Sequence, residues 1–425
     1  MSPALPASER LPLLDTVRGF ALLGILIMNM PGFSTSFFIE ADGSHFWKGE
    51  LDRAAEQLRD ALFSGKFNSM FSLLFGLGFT LQFQRMQALQ PDGATALYLR
   101  RLIVLLAFGL LHVMVFWTGD VLHIYAVLGL VLVLVLRHAS NRTLWILVVA
   151  CLCWPALSGL LRLQLMTPEV VAMLTAKAKA WEASNNLAYG QGSFLDALRE
   201  HAREFIDGYS NLWGLWGTFG FYVQMTTTML LGVLAGRGRW PYRVAELMPQ
   251  VRRLQWAALG LGLLCAATFT VIFELNRTPG PSPIKVLGSL AYTSSRVCLM
   301  VFYVLTLVRL MQLPAWQQRL APVALAGRMP LTNYLMQTLI CTTLFYGWGF
   351  GLWNRVGPAA CLLLALVIFF AVQVPWSRWW LSRHAQGPLE ALWARLTYGR
   401  HGRPAAAVRA AGRRGTRADI LGGFR

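Results

Sequence analysis

Ten stretches of this chain are each apolar over most of the length that a helix needs to cross a bilayer, about 20 residues, and this leaves the fold little freedom. They run approximately over 13–30, 66–84, 102–118, 121–136, 143–161, 212–235, 254–273, 286–308, 329–347 and 356–375. No water reaches the hydrocarbon core to satisfy backbone N–H and C=O groups, so each stretch must close its hydrogen bonds internally, as a helix. Composition agrees, with 56% hydrophobic and only 14% charged residues, where a soluble domain has about a quarter of its residues charged. The predicted fold is all-α, a polytopic membrane helical bundle of about ten transmembrane helices. Thr118-Gly119-Asp120 leaves room only for a tight turn, which predicts an antiparallel hairpin of spans three and four.

Charge placement predicts the orientation. With the N-terminus in the cytoplasm, the inside segments hold Arg10, Arg85, Arg100, Arg101, Arg137, Arg142, Arg237, Arg239 and Arg309, and the arginine-rich end of the chain joins them. Acidic residues collect on the other side, at Glu40–Asp60 and again at Glu169–Asp207. The positive-inside rule then puts both termini in the cytoplasm of a multi-pass membrane protein. The net charge of +18 follows from this topology and implies no nucleic-acid partner. Three regions are expected: a transmembrane helical domain over 1–376, a cytoplasmic amphipathic helix within 377–400 and a disordered basic tail over 401–425. Two external amphipathic helices are predicted at 168–182 and 193–207. The second turns Phe194, Leu198, Ala202 and Phe205 to one face, with Arg199, Glu200, Arg203 and Glu204 elsewhere.

Polar residues inside spans carry what functional signal there is, because each is costly at membrane depth without a partner, water or a ligand. Span nine opens with Arg328, Thr332, Asn333, Tyr334 and Gln337, and Thr332, Asn333 and Gln337 share roughly one helical face. Asp15 and Arg18 sit at i, i+3 at the start of span one, as a depth-fixing pair or as a charge offered to an anionic donor. Arg296, in the middle of span eight, must meet a partner, a cavity or an anionic ligand. Lys66 reads as snorkelling to the outer surface. His112, with the turn residue Asp120, has the makings of an oriented general base, against the plainer reading of an interhelical hydrogen bond. His45, beside carboxylates in the first external loop, is the competing base. No zinc signature, phosphate loop or nucleophile elbow is present, and no metal is expected.

The stretches Leu14–Ala21, Lys66–Gly78, His112 with Trp117-x-Gly119-Asp120 and Tyr125, Gly327–Tyr346, and Gly387-Pro388-Leu389-Glu390-x-Leu392-Trp393 resemble the YeiB-like family of bacterial inner-membrane proteins, a domain of unknown function. The resemblance runs from span one to the tail. More distantly, Leu14-Asp15-x-x-Arg18-Gly19 with Asn29 resembles the membrane acyltransferases that acetylate heparan glucosamine. Their first external loop carries a histidine shortly before tryptophan-x-glycine, an arrangement that His45, Trp47 and Gly49 resemble with the histidine one residue closer. His123 matches neither pattern and is set aside.

The resemblance implies an acyltransferase-like protein that moves an acyl group from a cytoplasmic donor such as acyl-CoA to an acceptor on the periplasmic side. Arg18 and Arg328 would hold the donor, Asn333 and Gln337 would orient it, Arg296 is a further anion contact, and His112 with Asp120, or His45, would be the base. Arg18, Arg328, Asn333 and His112 are expected to border one continuous cavity. Expected partners are the bilayer, a small-molecule or glycan acceptor and a second copy of the chain. A transporter or flippase of a small amphipathic molecule, and a non-catalytic membrane partner protein, are the competing functions.

Overall fold

All ten apolar stretches are helical in the computed structural model, which describes residues 12–89 and 91–399. The tail expected to be disordered lies outside the described residues. In chain order the helices are α1 (Pro12–Ser34), α2 (Glu50–Leu62), α3 (Lys66–Leu89), α4 (Ala94–Val115), α5 (Leu122–Val131), α6 (Asn141–Leu165), α7 (Pro168–Ala188) and α8 (Phe194–Ser210). There follow α9 (Leu212–Arg237), α10 (Val244–Leu275), α11 (Pro283–Leu310), α12 (Pro314–Gly327), α13 (Pro330–Phe345), α14 (Pro358–Val367), α15 (Val374–Arg383) and α16 (Pro388–Tyr398). A π-helical turn, Leu132–Leu136, extends α5, and a second, Ile368–Gln373, joins α14 to α15 into one helix. No strand occurs among the described residues.

Seven of these helices are long and apolar enough to cross a membrane: α1, α4, α6, α9, α10, α11 and the continuous Pro358–Arg383. The other three expected spans are shorter or more polar. Leu122–Leu136 and the 16-residue α13 fall below the usual length, and α3 opens with Lys66, Asn68, Ser69 and Ser72. Ile103, Leu134, Ile146, Leu264 and Leu363 are exposed, giving the bundle the apolar outer surface a lipid bilayer requires. Inside it α1 is central, packed by α3, α11, α12, α13 and α14, with Ala21, Leu22 and Leu26 fully buried.

Two helices went unanticipated. The charged α2 packs on α10 and α14. Helix α12 begins at Pro314 and ends at Gly327, the proline-first, glycine-last asymmetry of a helix, and lies along α1. The approach is close: a Cβ on Gly327 would sit 1.9 Å from the Asp15 carbonyl oxygen, and one on Gly19 2.0 Å from that of Val323. The hairpin of α4 and α5 forms as expected. Its turn is anchored by Trp117, whose Nε1 donates to the Gly32 carbonyl at 2.9 Å while its ring stacks on Phe33.

Helices α7 and α8 form outside the spans, and α8 caps the bundle against α4 and α9. It starts at a capping box in which Ser193 and Asp196 satisfy each other's backbone N–H. The face it turns inwards mixes apolar and polar groups, with Ala197 1% exposed and Phe205 packed on the His123 ring. Glu200 and His201 are 3% and 1% exposed, whereas Phe194 is 42% exposed. Glu200 and His201 are drawn inwards because much of what α8 covers is polar.

Candidate functional site beneath helix α8

The Asp120 carboxylate lies in the α4–α5 turn, 3% exposed, and accepts hydrogen bonds from two imidazoles. Its Oδ1 is 2.8 Å from His112 Nδ1; its Oδ2 is 2.8 Å from His123 Nδ1 and takes the His123 backbone N–H at 3.0 Å. The tight turn makes this arrangement, since His112 ends α4 and His123 opens α5. Burial alone would raise the Asp120 carboxyl, but hydrogen bonds from His112 and His123 outweigh it and hold it well below the ordinary carboxylate range.

With Nδ1 committed to the carboxylate, each ring presents Nε2 elsewhere. His112 Nε2 is 2.9 Å from the Thr338 hydroxyl on α13, and the ring of Tyr334 flanks it. His123 Nε2 is 3.0 Å from Tyr209 Oη, which is 3.2 Å from Tyr222 Oη. A chain of hydrogen bonds therefore runs from the fully buried Thr338 through His112, Asp120 and His123 to two half-buried tyrosines.

Helix α8 roofs this chain with further titratable groups. Burial, with the His112 ring adding to it, pushes His201 down to about 3, so the ring is neutral. Its Nε2 is 3.4 Å from Tyr346 Oη. Burial pushes Glu204 up to about 7 against hydrogen bonds from Thr118, Asn185 and Tyr189. Glu200 Oε2 takes Arg203 at 2.8 Å, and its buried Oε1 has no partner. Sequence reasoning missed His201, Glu204, Tyr209 and Thr338. The first two lie on a helix read only as amphipathic and external, and Thr338 adjoins the polar stripe without carrying charge.

The other sequence candidates lie elsewhere. Arg18 is paired with Asp15 at 2.9 Å, as the i, i+3 spacing suggests. Arg328 follows Gly327, which packs on residues 15 and 19 of α1, so Arg18 and Arg328 share one end of the bundle. His112 is at the other end. Its turn neighbour Trp117 reaches Gly32, about 20 Å of helix rise from Arg18 at 1.5 Å per residue.

Between these ends Asn333 and Gln337 are engaged in helix packing. Asn333 Nδ2 donates to the Ala326 carbonyl and to Ser377 Oγ; Gln337 Nε2 donates to the Leu22 carbonyl and to Gln373 Oε1. The start of α13 is met by Glu390 of α16, whose carboxylate takes the Leu331 and Thr332 N–H groups and the Thr332 hydroxyl. On the same short helix Trp393 donates to the Arg101 carbonyl and stacks under the Arg101 guanidinium, so α16 clasps α4 to α13.

His45 pairs with Glu274 at 3.1 Å, beside a depression of ≈ 240 Å³ lined by Glu40, Gly43 and Arg277. A second depression, ≈ 710 Å³, lies between α7 and the Pro279–Pro281 loop. Neither is bordered by Arg18, Arg328, Asn333 or His112. Arg296 is fully buried and bonded to Ser69 and the Gln224 carbonyl. Among the described residues no group of three or more His, Cys, Asp or Glu is placed to hold a metal ion.

Comparison with known proteins bears on the whole chain. The family described as "Protein of unknown function (DUF418)" matches residues 235–400. The "Uncharacterized protein YxaH" of Bacillus subtilis (strain 168) is 30% identical over 92% of this chain and 95% of its own length. The "Uncharacterized protein YeiB" of Escherichia coli (strain K12) is 31% identical over 92% and 96%. An "Uncharacterized 39.9 kDa protein" of Bacillus acidopullulyticus is 26% identical over 92% and 95%.

Proposed function

Since the chain belongs to the YeiB-like (DUF418) family of polytopic membrane proteins, we infer its activity from the site the bundle builds, and propose an acyltransferase-like enzyme with His112 as general base. One observation carries this reading. His112 is held through Nδ1 by a buried carboxylate and directs Nε2 at a hydroxyl, that of Thr338, at 2.9 Å. Asp120 orients the ring and stabilises its charged form, which is what a base needs while it holds a proton. The Thr338 hydroxyl marks where an acceptor hydroxyl or amine would bind.

In the proposed step the acceptor heteroatom attacks the thioester carbonyl of an acyl-CoA-type donor and passes its proton to His112 Nε2. The C–S bond then breaks, and the leaving thiolate takes that proton from His112 Nε2, which returns the ring to its neutral form. Arg18 and Arg328 hold the anionic end of the donor. Glu390 already occupies the α13 N-terminus, so these side chains rather than helix N–H groups make the contact. Ten residues of α13, roughly 15 Å of helix rise, separate Arg328 from Thr338, the length a donor held at Arg328 would have to bridge to reach His112, while Asn333 and Gln337 fix α13 against α1 and α15. The α8 side is periplasmic and both termini are cytoplasmic in this proposal.

The test is thioester turnover by the protein in nanodiscs, read as free thiol released from acetyl-CoA with a panel of sugar and amine acceptors. Activity lost in His112→Gln and kept in His45→Gln is the expected result. No thiol release and no CoA binding by the folded wild type sinks the proposal. Reporter fusions at Gly190 and Gly399 landing on the same side would overturn the orientation.

The hydrogen-bond chain from His112 to Tyr222 favours one other reading, proton-coupled transport of a small amphipathic molecule, since intramembrane His and Asp chains serve as proton relays. Substrate flux into proteoliposomes that follows an imposed pH gradient, without chemical change of the substrate, would identify it.

A further inference from the structure

Two buried cations on the α3 and α11 helices lack an anion. Arg296 and Lys66 are each 0% exposed. Arg296 Nη1 donates to Ser69 Oγ at 2.6 Å and to the Gln224 carbonyl at 3.1 Å, but its Nε and Nη2 have no partner. Lys66 Nζ donates to the Asp60 carbonyl at 2.9 Å and stands 5.5 Å from the centre of the Tyr292 ring. The Asp60 carboxylate is turned to Arg59 at 2.8 Å. Among the described residues neither Arg296 nor Lys66 forms an ion pair with a carboxylate. Lys66 does not snorkel to the surface, as its sequence position suggested.

The two unpartnered atoms of Arg296 define a ligand shape. Nε–H and Nη2–H project side by side from one edge of the guanidinium, a fork that matches two oxygens of a carboxylate or phosphate. A halide meets such a fork as a single point. The Nη1–Ser69 bond sets the guanidinium at the first turn of the 24-residue α3, where the helix dipole also favours negative charge, although the Lys66 and Ser69 N–H groups are already bonded to the Phe63 and Gly65 carbonyls. The preceding turn is shaped for the arginine. Gly65 has φ +74°, and a Cβ there would stand 2.5 Å from Tyr292 Oη and 2.8 Å from Arg296 Cδ.

We propose that Arg296, with Lys66 and the first turn of α3, binds an oxyanion, a phosphate or carboxylate group whose oxygens meet Nε and Nη2. This site is separate from the Arg18–Arg328 donor contact and does not depend on the chemistry assigned to His112. The oxyanion is either free in solution or the headgroup phosphate of a bilayer lipid.

The experiment measures thermal unfolding of the full chain, purified in a neutral detergent and delipidated. Inorganic phosphate and acetate are titrated against chloride at matched ionic strength, and a short-chain phosphatidylglycerol is added in a second arm. A saturable rise in midpoint with the oxyanions, absent with chloride and lost in Arg296→Lys, which keeps the charge but not the fork, is expected. The same pattern with the phospholipid alone assigns the oxygens to a headgroup. An oxyanion retained through purification would be released stoichiometrically on denaturation of the wild type and not of the variant. If Arg296→Lys does not fold, Lys66→Gln replaces it, with an expected rise of about tenfold in the half-saturating concentration. Equal responses to chloride and oxyanions, a variant that keeps the wild-type response, or a wild type that neither responds nor releases an oxyanion overturns the proposal.

Discussion

The substitution Asp120→Asn removes one charge from the centre of the α8-covered site and almost no volume. The carboxylate accepts three hydrogen bonds, from His112 Nδ1, His123 Nδ1 and the His123 N–H. Bonds to an ionised group contribute about 1.5–3 kcal/mol each and neutral ones about 0.5–1.5. The best orientation of the new side-chain amide keeps its oxygen on His123 and turns its NH2 towards His112. All three bonds are then neutral, a loss of roughly 1 kcal/mol each, partly offset because no charge is left to desolvate. The expected destabilisation is about 2–3 kcal/mol, measured by reversible unfolding in SDS-containing mixed micelles. The change also inverts the tautomer. His112 must accept at Nδ1 from the amide, so Nε2 carries the proton and the ring cannot act as base; thiol release should fall by about 10² or more. A destabilisation below about 1 kcal/mol, or turnover within a few-fold of wild type, would refute the assignment of Asp120 as the group that charges and orients the rings.

Gly327→Ala sets a methyl 1.9 Å from the Asp15 carbonyl oxygen and 2.5 Å from the Gly19 nitrogen, so it should cost about 1–3 kcal/mol in the same micelle titration. The control is Gly217→Ala, whose methyl would meet nothing within 4 Å. Glu204 should impose a pH dependence on stability. Its folded-state carboxyl is raised to about 7, so its contribution is complete below the ordinary glutamate value near 4.5 and is lost as pH rises through 7. The slopes of Glu56, likewise raised to about 7 by burial, and of His201 are common to both proteins, so the wild type should lose unfolding midpoint relative to Glu204→Gln as pH rises from about 4.5 to 7, with a constant difference above that. An unchanged slope would place Glu204 in a wetter setting than the structure gives it.

The membrane helices were legible because one physical demand, internal backbone satisfaction in lipid, writes itself into runs of apolar residues. The demand is local, so it reached α5 and the short α13 as well as the long spans. Helices α2 and α12 obey a different demand: they lie against the bundle, and only the Pro314-to-Gly327 punctuation of α12 announced it. The pairing of His112 with Asp120 was legible from eight residues of hairpin. That His123 shares the same carboxylate was not, although i, i+3 spacing from Asp120 permitted it. Helix α8 shows where periodicity misleads. A hydrophobic face predicts burial only when the surface beneath it is apolar, and here the covered surface includes imidazoles, a carboxylate and phenols, so Glu200 and His201 are buried beside Ala197 while Phe194 is exposed. Arg296 was marked by sequence depth alone, while its fork of free N–H groups is a matter of rotamer and neighbours that no spacing encodes.

The clasp formed by α16 bears on how the protein is made. Glu390 satisfies the first N–H groups of α13, and Trp393 grips the start of α4, so the helices that carry Thr338 and His112 are tied together by residues translated more than fifty positions after α13 begins. A nascent chain halted before Pro388 would hold every membrane helix and every side chain of the hydrogen-bonded chain, yet lack the Glu390 cap on α13 and the Trp393 hold on α4. That tie is made only after the C-terminal segment has left the ribosome, so fusions or truncations there bear on the two helices whose far ends carry His112 and Thr338.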